Sequence, residues 1–333
     1  MPMRSYTISV HVDPVRGGIW LTALALSVAA ALLQRGSFVQ AATSTLEPFL
    51  TLAAIISGGL LADHIGLFRS LARAVVPSTA AAPLAAASVL AFTALLSGAV
   101  NLDVAVVVAV PVALRVAQRQ RLSASRLAVA AALTANAASF LLPTSNLTNL
   151  LVLNRSPTSA LAYLQQSWAA WLLVTGLTVG LLSVVVGRGS ATAEVPVRAS
   201  SAANTSSLGL LDLLPMFVGA SAIRALLGGG VILQGGMVQE LGKATLFAAA
   251  VNNLPAAAAV RVVGATGRWA AVLGLAIGPN LLLTGSVASL ISRRIARDHR
   301  TAFQAGLFTL LGGALLPVQL LVALIGLHLT GAV

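Results

Sequence analysis

The stretch LLPTSNLTNLLVLNR, residues 141–155, interrupts an apolar region with a proline and a cluster of polar residues. The cluster comprises Pro143, Thr144, Ser145, Asn146, Thr148 and Asn149. Proline has no N–H to donate and its ring clashes with the preceding turn, so a helix that reaches Pro143 breaks there. Ser145 or Asn146 can then cap the start of a second helical arm. The stretch therefore predicts one helix in two arms, with hydrogen-bonding side chains at the break.

The composition around this stretch is that of an integral membrane protein. Of the 333 residues, 58% are hydrophobic and only 8% are charged, whereas soluble domains are about 25% charged. The mean hydropathy is +0.94, and long apolar runs recur along the whole chain. The length allows roughly ten membrane segments. We predict an all-α integral membrane protein with the first span retained.

The charge distribution predicts an orientation in the membrane. The chain carries 20 Lys and Arg against 8 Asp and Glu, with no Cys. The basic residues lie in short loops between apolar runs, which is typical of the positive-inside rule and not of a nucleic-acid partner. We expect the inner (plasma) membrane, a cytoplasmic N-terminus and linker, and a C-terminus outside. The lack of Cys excludes disulfides and thiolate metal sites, and no catalytic motif, cofactor or metal site is indicated.

The two halves of the chain resemble each other. Residues 97–112 align with 248–263 through a shared AVN, and residues 141–151 align with 282–292. Each half then has a helical hairpin followed by a broken helix, and the charge bias gives the halves opposite orientations, as in inverted-repeat transporters. Charge does not separate re-entrant hairpins from pairs of full crossings, but the short arms favour hairpins. The expected hairpin arms are 82–98 with 102–117 and 231–250 with 254–266; the expected broken helices are 127–142 with 146–153 and 269–283 with 286–292.

A segment rich in Ser, Ala and Gly divides these halves. The predicted organisation is an N-terminal segment and first span (1–45), a first transport repeat (46–186), a cytoplasmic linker (187–207) and a second transport repeat (208–333).

The hairpin tips and helix breaks are the predicted substrate-binding loops. Unpaired backbone groups cost several kcal/mol in hydrocarbon, so a break at membrane depth needs protein or a water-filled cavity around it. Lone Ser, Thr and Asn residues more often hydrogen-bond a neighbouring helix, but matched breaks in two halves favour a solute site. The candidates from this pattern are Asn101, Thr144, Ser145, Asn146, Thr148, Asn252, Asn253, Gly285 and Ser286. The first break is richer in polar groups, so we expect Ser145→Ala or Asn146→Ala to impair transport more than Ser286→Ala.

Asp103 is the candidate for proton or cation coupling. It follows the first hairpin tip inside the apolar run NLDVAVVVAV, where an acid costs about 2.5–3.5 kcal/mol on insertion scales. Such a carboxyl group can exchange a proton or ligate a cation. The alternative is that Asp103 stabilises the start of the second hairpin arm. The second tip has Asn253 near this place and no acid, which predicts asymmetric coupling.

Four stretches resemble the signature regions of arsenite efflux permeases, the arsenical pump membrane protein family of the ion transporter superfamily. They are LSGAVNLDVAVVVAVPVAL (96–114), ANAASFLLPTSNLTNLLVLN (135–154), AAAVNNLPAAAAV (248–260) and GPNLLLTGSVASLISRRIARD (278–298). The resemblance implies tips at Asn101–Asp103 and at Asn252, Asn253 and Pro255. It also adds Asn280 and Thr284 to Gly285 and Ser286 as substrate-binding residues of the second break.

The resemblance implies a secondary carrier that expels arsenite or antimonite in exchange for protons, and a homodimer. A sodium/proton antiporter or an organic-anion symporter on the same scaffold stays open, as does a non-transporting membrane subunit. The expected partners are a small inorganic or organic solute, a proton or sodium ion, and the lipid bilayer. A cation carrier needs several carboxylates and an anion carrier a buried Arg; the chain offers one acid and no clear buried base, which favours a neutral or weakly charged solute such as As(OH)3.

Overall fold

The computed structural model describes residues 14–66, 70, 81–154, 156–188, 203–228, 231–233 and 235–333. Arg155, which ends the opening stretch, and most of the predicted linker lie outside the described residues. The helices within them are α1 (Pro14–Leu33), α2 (Arg35–His64), α3 (Ala82–Ala99), α4 (Leu102–Arg119), α5 (Ala124–Ala137), α6 (Leu147–Leu153), α7 (Ala160–Gly187), α8 (Ala203–Leu226), α9 (Met237–Val251), α10 (Asn253–Ala259), α11 (Gly264–Ile277), α12 (Val287–Asp298) and α13 (Ala305–Leu329).

Three of these helices are long and apolar enough to cross a membrane, namely α3, α7 and α13. Shorter apolar helices run over Trp20–Leu33 and Phe217–Leu226. Large apolar side chains such as Leu161, Leu310 and Leu329 face outward, where lipid is their natural surrounding. The chain is therefore a mostly helical, multi-pass membrane protein, as predicted. Three of the other helices, α6, α10 and α12, are short because the chain breaks next to them.

The first half folds into a hairpin followed by a broken helix. Helices α3 and α4 pack against each other and meet at Val100 and Asn101. Helix α5 ends at Ala137, a 3-10 turn covers Pro143–Ser145, and α6 starts at Leu147. The break thus lies where the proline and polar cluster predict it.

The second half repeats this order with two differences. Helices α9 and α10 meet at Asn252, and α11 is separated from α12 by 3-10 turns at Gly278–Leu281 and Leu283–Gly285. However, the predicted helical arms 231–250 and 254–266 are too long. The strand Val231–Ile232 (β1) pairs in parallel with Val260–Arg261 (β2). Gly235, with φ of 140°, stops a helix from forming before Met237, because only glycine adopts this conformation readily.

The halves interlock through their broken helices. Within each half, the first arm of the broken helix packs against the first hairpin arm: α5 on α3, and α11 on α9. The second arms cross over, so that α12 packs against α4, and α6 against α10. Each hairpin is therefore held by both halves.

Close helix contacts rely on residues without bulky side chains. A Cβ on Gly326 of α13 would overlap the Ala170 backbone of α7, and one on Gly312 would overlap the Asn280 carbonyl. Such small-residue contacts replace the hydrophobic effect as the basis of helix association in lipid. Gln319 Nε2 on α13 also donates to Thr178 Oγ1 on α7 at 2.8 Å.

Candidate functional site

The first hairpin tip is fastened to the first helix break by one side chain. Asn101 is fully buried and caps α4, its Oδ1 accepting from the Asp103 N–H at 2.9 Å. Its Nδ2 donates to the Thr144 carbonyl in the 3-10 turn at 3.0 Å. Asparagine is well suited to this place because its amide accepts at the helix start and donates across to the break. We refer to this pair of contacts as the first clamp.

The second tip repeats the same contacts. Asn252 caps α10 by accepting from the Leu254 N–H at 3.2 Å, and its Nδ2 donates to the Thr284 carbonyl at 2.8 Å. Its backbone has φ of 77° and ψ of 144°, an uncommon conformation for a residue other than glycine. We refer to these contacts as the second clamp. The clamps pair Thr144 with Thr284, one residue away from the alignment of 141–151 with 282–292.

Matching caps start the second arms of both broken helices. Asn146 caps α6 by accepting from the Thr148 N–H at 3.1 Å, and Ser286 caps α12 by accepting from the Ala288 N–H at 3.1 Å. Asn146 has a second contact, from its Nδ2 to Ser139 Oγ at 3.0 Å. The four second arms, α4, α6, α10 and α12, therefore all begin at capped polar loops.

Ser145 is used to hold the loop together. Its buried hydroxyl lies 2.9 Å from the Gly98 carbonyl and 2.7 Å from the Leu142 carbonyl, and it accepts from the Leu142 N–H at 2.7 Å. The hydroxyl thus ties the break to α3 next to the first tip. Ser145 therefore lies in the predicted loop, where its hydroxyl group stabilises the break and its contact with α3.

Two buried oxygens on the first turn of α6 have no hydrogen-bond partner among the described residues. They are Thr148 Oγ1 and Asn149 Oδ1. The Asn149 amide nitrogen is occupied, donating to the carbonyls of Ser139 and Leu142 at 3.0 and 3.2 Å. Since α6 packs against α10, these oxygens lie on the arm that links the first break to the second hairpin. Buried polar atoms without partners are costly unless water or a ligand satisfies them. Asn149 was not predicted as a site residue, although its place in the polar cluster was the available signal.

Asp103 lies on the first turn of α4 and is 9% exposed. Within the described residues, its carboxylate makes no hydrogen bond and no ion pair. The equivalent position behind the second clamp is Leu254, which is apolar. The clamps are therefore alike in hydrogen bonding and different in charge.

The remaining predicted residues of the second half are placed less uniformly. Asn253 is buried at the start of α10, and the Thr284 side chain is exposed although its carbonyl serves the clamp. A Cβ on Gly285 would come within 2.8 Å of Pro279 Cα, so packing alone requires glycine there. These residues lie at the second tip and the second break as predicted, but their side chains do not all face a common site.

Asn280 belongs to a separate contact between the halves. Its Oδ1 accepts from Asn136 Nδ2 at 3.1 Å, and its own Nδ2 donates to the Leu133 carbonyl at 3.1 Å. Asn136 also donates to Ser289 Oγ at 2.9 Å. Asn136 was not predicted, and its position near the end of an Ala-rich helix gave only a weak signal.

Comparison with known protein families decides the assignment of this scaffold. The family model CitMHS, described as citrate transporter, matches residues 16–329. The chain belongs to the citrate transporter family. No curated protein matches the sequence. As a citrate transporter family protein, the chain is a secondary membrane transporter for a small solute, which agrees with the predicted superfamily and with a non-enzymatic role. The narrower resemblance to arsenite permeases is taken up below.

Proposed function

We propose that this citrate transporter family protein carries its solute between the two clamped loops, with residues 46–186 and 208–333 acting as inverted repeats about the linker 187–207. Two observations support the proposal. The same asparagine contacts join tip to break in both halves, and the second arms cross over between halves. A carrier needs such a pair of equivalent, interlocked units to open alternately to either side.

The hairpins are proposed to be re-entrant, the second because one of its arms is short and the first as its matched counterpart, although α3 alone is long enough to cross. Helix α10 has 7 residues, a length of about 10 Å at 1.5 Å per residue, whereas the hydrocarbon core is about 30 Å thick. This arm is too short to cross. With the tips inside the membrane, the capped helix starts meet near its midplane, where broken helices place substrate sites.

We infer arsenite or antimonite efflux in exchange for protons as the first candidate activity. Among the described residues of the tips and breaks, the polar side chains are neutral amides and hydroxyls apart from Asp103. Such a site suits a small uncharged solute with several hydroxyl groups, such as As(OH)3, which can donate to the free oxygens of Thr148 and Asn149. Asp103 would take up the exchanged proton, since ionisable residues inside membrane segments commonly serve as proton carriers.

A carboxylate solute such as citrate is the second candidate. It is favoured by the family match over residues 16–329. Four helix starts would direct N–H groups and the positive ends of their dipoles at an anion. A sodium ion at Asp103 would then offset part of the substrate charge.

We also propose that the protein lies in the plasma membrane, that its N-terminus and linker are cytoplasmic, and that it forms a homodimer.

Flux measurements on the purified protein in liposomes separate these activities. Arsenite, antimonite and citrate uptake would each be measured with a proton gradient or a sodium gradient, for wild type and Asp103→Asn. Arsenite flux driven by protons and abolished by Asp103→Asn would support the first candidate. Sodium-driven citrate flux would replace it with the second. Sodium/proton exchange without a solute would indicate an antiporter, and the absence of every flux would leave the non-transporting subunit.

A further inference from the structure

A group of arginines collects at the end of the molecule where α4 and α12 end. We call it the arginine patch and define it as Arg119, Arg121, Arg126, Arg293, Arg297 and Arg300. The acid described within the same helix ends is Asp298, which lies 4.0 Å from Arg294. The patch therefore has a strong excess of positive charge.

Hydrogen bonds at the opposite ends of α5 and α12 show why arginines from the two halves of the chain lie close together. Asn136, at the end of α5, donates to Ser289, at the start of α12, and α12 packs against α5. The two helices thus run antiparallel, so the end of α12 lies beside the start of α5. Arg126 is ten residues before Asn136 in α5, and Asp298, the last residue of α12, is nine residues after Ser289, which corresponds to about 13–15 Å. Arg300 follows directly after this helix end. Arginines from both halves are therefore brought to the same level.

That level is suited to phospholipid headgroups. With the breaks near the midplane, a distance of about 15 Å reaches the edge of a hydrocarbon core about 30 Å thick. This placement rests on the proposed function. Arginine binds phosphate through paired N–H groups, and basic clusters at this depth attract anionic lipids.

Two arginines of the patch lie at helix ends where the backbone conformation favours glycine. Arg121 and Arg300 have φ of 52° and 58°. Both helix ends close with the same bond, from the Leu122 N–H to the Ala117 carbonyl and from the Thr301 N–H to the Ala296 carbonyl. Glycine is the usual residue at this position because it adopts positive φ without strain. A strained residue that is kept in place of glycine points to a use for its side chain.

We propose that the arginine patch binds the phosphate groups of anionic phospholipids in the surrounding bilayer. The lipid phosphates neutralise the repulsion between arginines of α4–α5 and α12 and so hold the ends of these helices together across the two halves. Lipid binding at this surface is separate from solute binding at the clamped loops.

The double variant Arg121→Gly/Arg300→Gly tests the proposal, because it removes two charges while relieving backbone strain. Binding of phosphatidylglycerol, phosphatidylcholine and inorganic phosphate to the purified full chain would be measured by native mass spectrometry. We expect wild type to prefer phosphatidylglycerol, and the variant to bind it on the order of thirtyfold more weakly, since each arginine near an anionic surface contributes about fivefold. The matched control Arg35→Gln/Arg261→Gln removes two exposed arginines elsewhere and should bind as wild type does.

Unfolding temperature in phosphatidylcholine distinguishes lost binding from lost folding, and the glycine variant should match or exceed wild type there. Equal affinity of wild type for phosphatidylglycerol and phosphatidylcholine would overturn the proposal, as would an unchanged affinity of the glycine variant. Displacement of the lipid by millimolar inorganic phosphate would overturn it in favour of a free-phosphate site. A preference for an acidic peptide over the lipid would overturn it in favour of a protein partner. Loss of flux with intact lipid preference would reject the proposed function and leave this inference standing.

Discussion

Replacing Asn101 by serine separates the two contacts of the first clamp. Serine is a good helix cap and can still accept from the Asp103 N–H, but its side chain is too short to reach the Thr144 carbonyl that Asn101 contacts at 3.0 Å. This carbonyl is partly buried, and losing its donor costs about 1–3 kcal/mol. Asn101→Ala also loses the cap, for about 1 kcal/mol more. We therefore expect Asn101→Ser to destabilise the protein by about 1–3 kcal/mol and Asn101→Ala by about 2–4 kcal/mol.

Thermal unfolding of the purified protein measures these costs, with roughly 2 °C expected per kcal/mol for a chain of this size. Ser88→Ala is a suitable control, because it removes an exposed hydroxyl hydrogen bond in α3, the first arm of the same hairpin. Flux should fall in Asn101→Ser while Ser88→Ala transports normally, since only the former frees the tip from the break. An unfolding temperature and a flux of Asn101→Ser equal to those of Ser88→Ala would refute the view that this amide fastens the tip.

Three further predictions concern Asp103, the helix contact at Gly312 and the caps of the two broken helices. Asp103→Asn should abolish ion-driven flux but retain exchange of solute against solute, because it removes the ionisable group and leaves the Asp103 backbone contact to the cap; loss of both fluxes would contradict a coupling role. Gly312→Ala should destabilise the protein by about 1–3 kcal/mol through overpacking, whereas Gly313→Ala, whose Cβ would stand 3.7 Å from a leucine methyl group, should unfold at the wild-type temperature. Asn146→Ala should reduce flux and unfolding temperature more than Ser286→Ala, because it removes a cap and a second bond to a serine hydroxyl, whereas Ser286→Ala removes only a cap; equal effects would contradict this asymmetry.

The sequence predicted the breaks well because their causes are local. Proline at 143 and the caps at Asn146 and Ser286 act within one helical turn, so a single stretch contains the information. The lengths of both arms of the second hairpin were predicted poorly. The pairing of Val231–Ile232 with Val260–Arg261 depends on residues far apart in sequence, and apolar character alone does not separate a short strand from a helix.

The sequence predicted where the site residues lie, but not which hydrogen bonds their side chains make. Polar residues at a break are easily recognised, but the sequence does not show which of their atoms are already satisfied by the fold. Ser145 is consumed by carbonyls of its own half, whereas Thr148 and Asn149 keep free oxygens. Asn136 escaped prediction because its partner Asn280 is 144 residues away, and nothing near Asn136 indicates that contact.

The two halves have the same clamp contacts but differ in the polar and ionisable side chains at matching positions. Asp103 in the first half corresponds to Leu254 in the second, and Asn149 corresponds to Ser289. The oxygen of Asn149 is free, whereas Ser289 is occupied by the contact with Asn136 that joins the halves. At these matched positions the first half provides the unsatisfied oxygen and the ionisable group, while the second half uses them for packing and assembly. Away from these positions the second half has a buried acid, Glu240, and a buried base, Arg268, so the expectation of one acid and no buried base is wrong for the whole chain. Because α12 packs against α4, we expect a displacement of the second break to move the helix that carries Asp103. In the proposed function, this arrangement links solute occupancy to the charge of the Asp103 carboxylate.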